Sequence, residues 1–90
     1  MSKEKNQETK LDVTIYWSPI WGKETFRTKA LAVSSKNKLG NFDILPYHTN
    51  FITMIFDTLT IKTEKEEIRY NFKRGVLEVS ENVVSVFLGL

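Results

Sequence analysis

The sequence predicts an all-β fold, a two-sheet β-sandwich or flattened barrel of roughly 8–10 short strands. Three observations predict it. Apolar residues recur with a period of two along most of the chain. β-Branched and aromatic residues dominate the apolar positions. No window places apolar residues at helical spacing over three turns.

Leu11, Val13, Ile15 and Trp17 alternate with Asp12, Thr14, Tyr16 and Ser18. This is the pattern of a half-buried strand with one wet face. Residues 26–35 form a longer candidate strand, with Thr28, Ala30 and Ala32 on one face and Leu31 and Val33 on the other. Such a strand is covered on both sides near its end. Residues 39–51 read as a loop of fixed shape. Pro46 locks φ and has no N–H to donate, and it pushes Leu45 toward extended geometry. Gly40 permits a positive φ where the chain turns.

Residues 51–56 are almost continuously apolar, which predicts a strand lying between two layers. Leu59 and Ile61 then alternate with Thr58, Thr60 and Lys62, and Asp57 marks a break or bulge between the two runs. Thr63-Glu64-Lys65-Glu66 is a polar connection, so strands 58–63 and 67–73 form a hairpin. In the second of these, Ile68, Tyr70 and Phe72 alternate with Glu67, Arg69, Asn71 and Lys73. Arg74 and Gly75 build a turn or bulge before a short strand with Val76, Leu77 and Val79. Ser80-Glu81-Asn82 is a tight polar turn, and residues 83–88 make the last strand.

The 90 residues make one domain. A chain of this size buries only about 60–65% of its unfolded surface, so its core must be efficient. Residues 1–10 are polar and charged, without the apolar core of a signal peptide, and read as a frayed tail ahead of a domain at 11–90. No cysteine is present, which excludes a disulfide framework and thiolate metal sites. The net charge of +2 is interspersed and gives no basic stripe for nucleic acid. No apolar stretch approaches the roughly 20 residues of a membrane-spanning helix.

The residues that carry chemistry are sparse. One histidine cannot assemble a zinc site. Ser18, Ser34, Ser35, Ser80 and Ser85 offer hydroxyls, but His48 is the one base of the usual kind for nucleophilic catalysis. Asp43 and His48 could meet across the Pro46 turn; alternatively, Asp43 caps the loop and His48 bonds to backbone. Glu64, Glu66 and Glu67 surround Lys65 at a hairpin tip, where charge keeps the turn solvated. No glycine-rich phosphate loop occurs. Tyr16, Trp17 and Trp21 could stack bases, or could close the end of a β core. No catalytic, cofactor-binding or metal-ligating residue is nominated.

Two segments together resemble one family. Gly40-Asn41-Phe42-Asp43-Ile44-Leu45-Pro46-Tyr47-His48-Thr49-Asn50-Phe51-Ile52 is similar to a stretch reading approximately G-x-F-(G/D)-I-L-P-G-H-A-P-L-L. Arg74-Gly75-Val76-Leu77-Glu78-Val79-Ser80-Glu81-Asn82-Val83-Val84-Ser85-Val86 is similar to G-G-x-L-E-V, a short turn and N-V-(T/V)-(V/I). Both belong to the N-terminal β-sandwich domain of the epsilon subunit of F-type ATP synthases. The resemblance covers residues 11–88 and rests on two motifs in the right order and spacing. Four places depart from it. Tyr47 and Arg74 stand where the family has glycine, Asn50 stands where it has proline, and residues 18–26 match poorly.

The resemblance implies a non-catalytic rotor component, without cofactor, that couples the gamma subunit to the c-ring during proton-driven ATP synthesis. The turn Lys36, Asn37, Lys38, Leu39, Gly40 and Asn41 matches the loop that faces the ring. His48, Thr49, Asn50 and Phe51 lie near the gamma and ring contacts, while Ile44 and Leu45 are expected in the core. The location implied is a peripheral complex on the cytoplasmic face of the inner membrane, bacterial-type, with a domain soluble when isolated. Family members usually continue into a two-helix hairpin that carries inhibition of ATP hydrolysis and, in some bacteria, ATP binding. This sequence stops at Leu90, so neither function is assigned to it. Two other readings remain open: a β-sandwich adaptor that has left the synthase, and an oligonucleotide-binding barrel.

Overall fold

The computed structural model describes residues 9–90, so most of the expected polar tail at 1–10 lies outside the described residues. Seven strands follow one another: β1 (Leu11–Trp17), β2 (Phe26–Ala30), β3 (Ala32–Asn37), β4 (Gly40–Ile44), β5 (Phe51–Lys62), β6 (Glu67–Ser80) and β7 (Val83–Leu88). A short 3-10 turn, Pro19–Trp21, separates β1 from β2. The strands form one hydrogen-bonded sheet in the order β2-β1-β7-β6-β5-β3-β4. The β1–β7 pair is parallel, which seats the first and last strands side by side.

This sheet folds over on itself. Leu11, Val13 and Ile15 of β1 belong to the same buried cluster as Val33 of β3, Ile44 of β4 and Ile61 of β5. Strands at opposite ends of the sheet can share a core only when the sheet doubles back into two layers. β5 and β6 make the corner. Residues 75–80 of β6 pair with β7 in one layer, and residues 59–62 of β5 pair with β3 in the other. The all-β sandwich is therefore as expected, but its strands are fewer and longer. The segments read as 51–56 and 58–63 are one strand, and those read as 67–73 and 76–79 are another.

A register shift accounts for the break read in β6, and the charge of Asp57 for the one read in β5. The β5–β6 ladder pairs Phe56 with Arg74 and Asp57 with Phe72, which leaves Lys73 as an extra residue. One extra residue inverts every later side chain relative to the sheet. Ile68, Tyr70 and Phe72 face the core side before the bulge; Gly75, Leu77 and Val79 face it afterwards. Asp57 sits in the bulge at φ 74, as its position between two apolar runs suggested. Gly75 is needed where the corner is tightest. A Cβ there would lie 2.5 Å from the Phe87 carbonyl oxygen and 3.0 Å from Leu88 Cδ2.

Two other segments differ from the sequence expectation. The run at 26–35 breaks at Leu31, whose N–H donates to the Lys62 carbonyl at 2.7 Å. β2 then pairs with β1, while β3 pairs with β4 and β5. The break is where the chain changes layers. Residues 40–44, expected in a loop, form β4 as an edge strand along β3. Pro46 still ends the segment, since it cannot donate to a ladder. Ile44 is buried as expected, but Leu45 is 54% exposed and is not a core residue. It lies one position past the end of the strand, where alternation turns it outward.

Candidate partner-binding surface

The β3–β4 hairpin presents the residues expected to face a partner. Asn37 shapes its tip, because its side-chain oxygen accepts from the Leu39 N–H at 2.9 Å. This Asx-type turn holds Leu39 97% exposed. Gly40 follows at φ 122, a conformation other residues rarely adopt. Lys36 pairs with Asp57 across the bulge at 2.7 Å. Lys38 is exposed and has no ion pair among the described residues. The tip therefore offers an apolar side chain and a free cation together.

The Asn37 amide also donates to Thr53 Oγ1 at 3.3 Å, which ties the hairpin to β5. Phe51, two residues earlier, packs edge-on to Phe42 at 5.7 Å and lies 5.6 Å from the His48 ring. Asn37, His48 and Phe51 thus gather around the start of β5. Asp43 and His48 do not form the pair that sequence left open. Asp43 accepts from Ser34 Oγ at 2.6 Å, while His48 Nδ1 meets the Thr49 carbonyl at 2.8 Å.

The loop after β4 keeps its turn despite Tyr47. The His48 N–H donates to the Leu45 carbonyl at 3.1 Å, and Tyr47 holds φ 69 behind Pro46. Proline second and a positive φ third are the features of a type II turn. The β6–β7 turn steadies it, with Glu81 at φ 51 and Asn82 at φ 66. Asn82 Oδ1 accepts from the Tyr47 N–H at 2.7 Å, and Asn50 Oδ1 accepts from the Glu81 N–H at 3.3 Å. Asn50 therefore ties two loops together. Thr49 is exposed and contributes its carbonyl to His48.

Sequence reasoning missed a second surface. Tyr16, Phe87, Val76 and Met54 are successive cross-strand partners over β1, β7, β6 and β5. All point away from the core, since their neighbours Ile15, Val86, Leu77 and Ile55 point inward. Tyr16 and Phe87 stack with centroids 4.9 Å apart. Ile52 extends the patch on β5 and is 67% exposed. The apolar run at 51–56 had predicted cover on both faces, but the described residues cover only the face with Ile55. That doubly apolar run was the signal for this surface.

Next to Tyr16, but on the inner face of β1, Trp17 packs on the core and lies edge-on to Tyr70 at 6.1 Å and to Trp21 at 6.4 Å. Burial raises the Tyr70 pKa above its ordinary value. No group of three or more potential metal-ligating side chains occurs among the described residues. No helix among them is long and apolar enough to cross a membrane.

The family profile described as ATP synthase, Delta/Epsilon chain, beta-sandwich domain matches residues 22–88. The chain belongs to this family. The match takes in the β3–β4 hairpin, the Pro46 loop and the bulged β5–β6 pair, and it leaves out β1. The structure supplies β1, hydrogen-bonded between β2 and β7. The delta/epsilon fold extends over nearly the whole chain. A chain of the Euglena gracilis mitochondrial ATP synthase, from a cryo-EM structure of its OSCP/F1/c-ring, superposes with a TM-score of 0.77 at 14% identity. That alignment covers 98% of this chain and 57% of the Euglena chain. A chain from the central stalk/c-ring of Tetrahymena thermophila mitochondrial ATP synthase superposes with a TM-score of 0.73 at 11% identity. It covers 94% of this chain and 67% of the other. No curated protein sequence matches this one.

Proposed function

We propose that this delta/epsilon domain is a non-catalytic component of an ATP synthase central stalk, coupling the gamma subunit to the c-ring. The reading rests on family membership and on one observation above all. The outer row Tyr16–Phe87–Val76–Met54, with Ile52, is an apolar face that the described residues leave uncovered. Contiguous exposed apolar surface of this kind marks protein–protein contact. A packed two-layer core resists deformation, which suits an element that transmits torque.

In this reading the gamma subunit lies on the outer row and reaches the start of β5 at Phe51 and His48. The hairpin Lys36, Asn37, Lys38, Leu39, Gly40 and Asn41 faces the ring, with Thr49 and Asn50 at the margin. The assembly is peripheral to the membrane, on its cytoplasmic side in the bacterial arrangement. Co-expression with gamma and ring subunits of a cognate synthase, followed by affinity purification, tests the proposal. Recovery of both partners is the expected result. Recovery of neither, from a folded domain, overturns it.

A further inference from the structure

A cleft of about 480 Å³ opens between the 3-10 turn, β6 and the end of β7. Trp17, Trp21, Phe72 and Leu90 form its apolar walls, and Lys23 and Lys73 stand at its rim. We propose that this cleft binds a small amphipathic anion, with its apolar body against Trp21, Phe72 and Leu90 and its acidic head at the lysine rim. The inference is independent of the stalk reading and uses a different part of the surface.

The walls are fixed by bonds between distant parts of the chain. The Trp21 indole N–H donates to the Gly89 carbonyl at 3.0 Å. The Trp21 and Gly22 amides close the turn onto Ser18 and Pro19, and the Ser18 N–H donates to the Leu88 carbonyl. Gly89 lies at φ 75, and a Cβ there would come within 2.4 Å of the indole nitrogen. Glycine lets the indole lie flat on the backbone. Closing the core requires only Trp17; Trp21 and Leu90 each remain 53% exposed. Preformed apolar walls with few polar groups are the usual build of a small-ligand site, and about 300–1,000 Å³ is its usual size.

Charge selects the head group. No side-chain carboxylate lines the cleft. Neither Lys23 nor Lys73 forms an ion pair among the described residues. Lys23 Nζ is held 4.8 Å from the centre of the Trp17 ring. Two cations beside aromatic walls favour an acid over a base or a neutral chain. A soluble carboxylate and an acidic lipid share this chemistry.

The test titrates isotope-labelled protein with decanoate, and separately with decyltrimethylammonium, following the two indole N–H signals. Saturable shifts of both signals are expected with decanoate, and binding about tenfold weaker or more with the cation of equal chain length. Lys23→Gln with Lys73→Gln should weaken decanoate about tenfold while leaving the fold intact. Trp21→Ala should abolish saturation. Equal binding of the two probes, no saturable shift, or an unaffected lysine variant overturns the proposal. Sedimentation with phosphatidylglycerol vesicles distinguishes the source of the anion. Pelleting that depends on the two lysines assigns the cleft to a lipid head group; decanoate binding without pelleting assigns it to a soluble acid.

Discussion

The Asn82 side chain accepts a hydrogen bond from the Tyr47 N–H at 2.7 Å, and both residues hold positive φ. Each sits at the tip of its own turn, so the bond joins two strained loops. A non-glycine residue in this region carries about 1–2 kcal/mol of strain. Asn82→Ala removes the acceptor and the residue type that tolerates the conformation. It should destabilise the domain by about 1–2 kcal/mol in urea unfolding. Asn82→Gly keeps the backbone and should lose less. Tyr47→Gly relieves strain but loosens the unfolded chain and removes the 2.6 Å contact with Thr9; it should stay within about 0.5 kcal/mol of the parent. Equal losses in the two Asn82 variants would show that backbone strain contributes nothing.

Gly75 marks the corner of the folded sheet. Gly75→Ala places a methyl 2.5 Å from the Phe87 carbonyl oxygen, which is backbone and cannot rotate away. The expected loss is about 1–3 kcal/mol, seen as a melting temperature lower by several degrees. An unchanged melting temperature would mean that β7 moves freely from β6.

The two proposed contact surfaces should fail independently. Lys38→Glu reverses the free cation at the hairpin tip and should weaken ring binding without changing the thermal transition. Lys36→Glu is a less clean probe, because it sets a second carboxylate beside Asp57, now 2.7 Å from the lysine. Reversal at both lysines should weaken ring binding further. Met54→Glu or Phe87→Glu charges the outer row and should weaken gamma binding by about tenfold or more. Pull-down of each partner by each variant gives the readout. Loss of both partners from every variant would refute separate surfaces.

Tyr70 links stability to high pH. Burial raises its pKa, so the folded state holds the phenolic proton more tightly than the unfolded state does. That preference is fully present below the unfolded pKa of about 10 and is lost as pH rises through the folded value. Stability should therefore fall as pH rises past the unfolded pKa of about 10. Tyr70→Phe should show a shallower fall than the parent between neutral and strongly alkaline pH. Parallel curves would exclude the linkage.

Much of the core was legible from alternation alone. Leu11, Val13, Ile15, Leu59, Ile61, Leu77 and Val79 are all buried where the period of two placed them. Alternation is local, so a single strand displays it without its partners. The Asp57 bulge was also visible, as a charge between two apolar runs. The continuity of β5 and β6 was not. In β6, Lys73 inverts the side-chain phase, and a phase break in sequence reads like the end of a strand; in β5 the phase holds, and the charge of Asp57 interrupts the apolar run.

Of the candidate surface, the hairpin residues Lys38 and Leu39 were found in exposed positions, as a turn reading allows. The outer row was not found, because it exists only through register. Tyr16, Phe87, Val76 and Met54 are neighbours because three ladders align them. Asn50 and Asn82 likewise gain their roles from a contact between loops.

The sequence by itself determined the all-β class, the inward positions and the two motifs that place the chain in the delta/epsilon family. These are properties of short segments, where side-chain period and backbone preference act locally. The tertiary structure decided where the strands run on, which edge β4 occupies and which apolar face stays uncovered. Those outcomes depend on pairing between distant segments. Pairing depends in turn on register, and a single extra residue at Lys73 resets it for everything that follows.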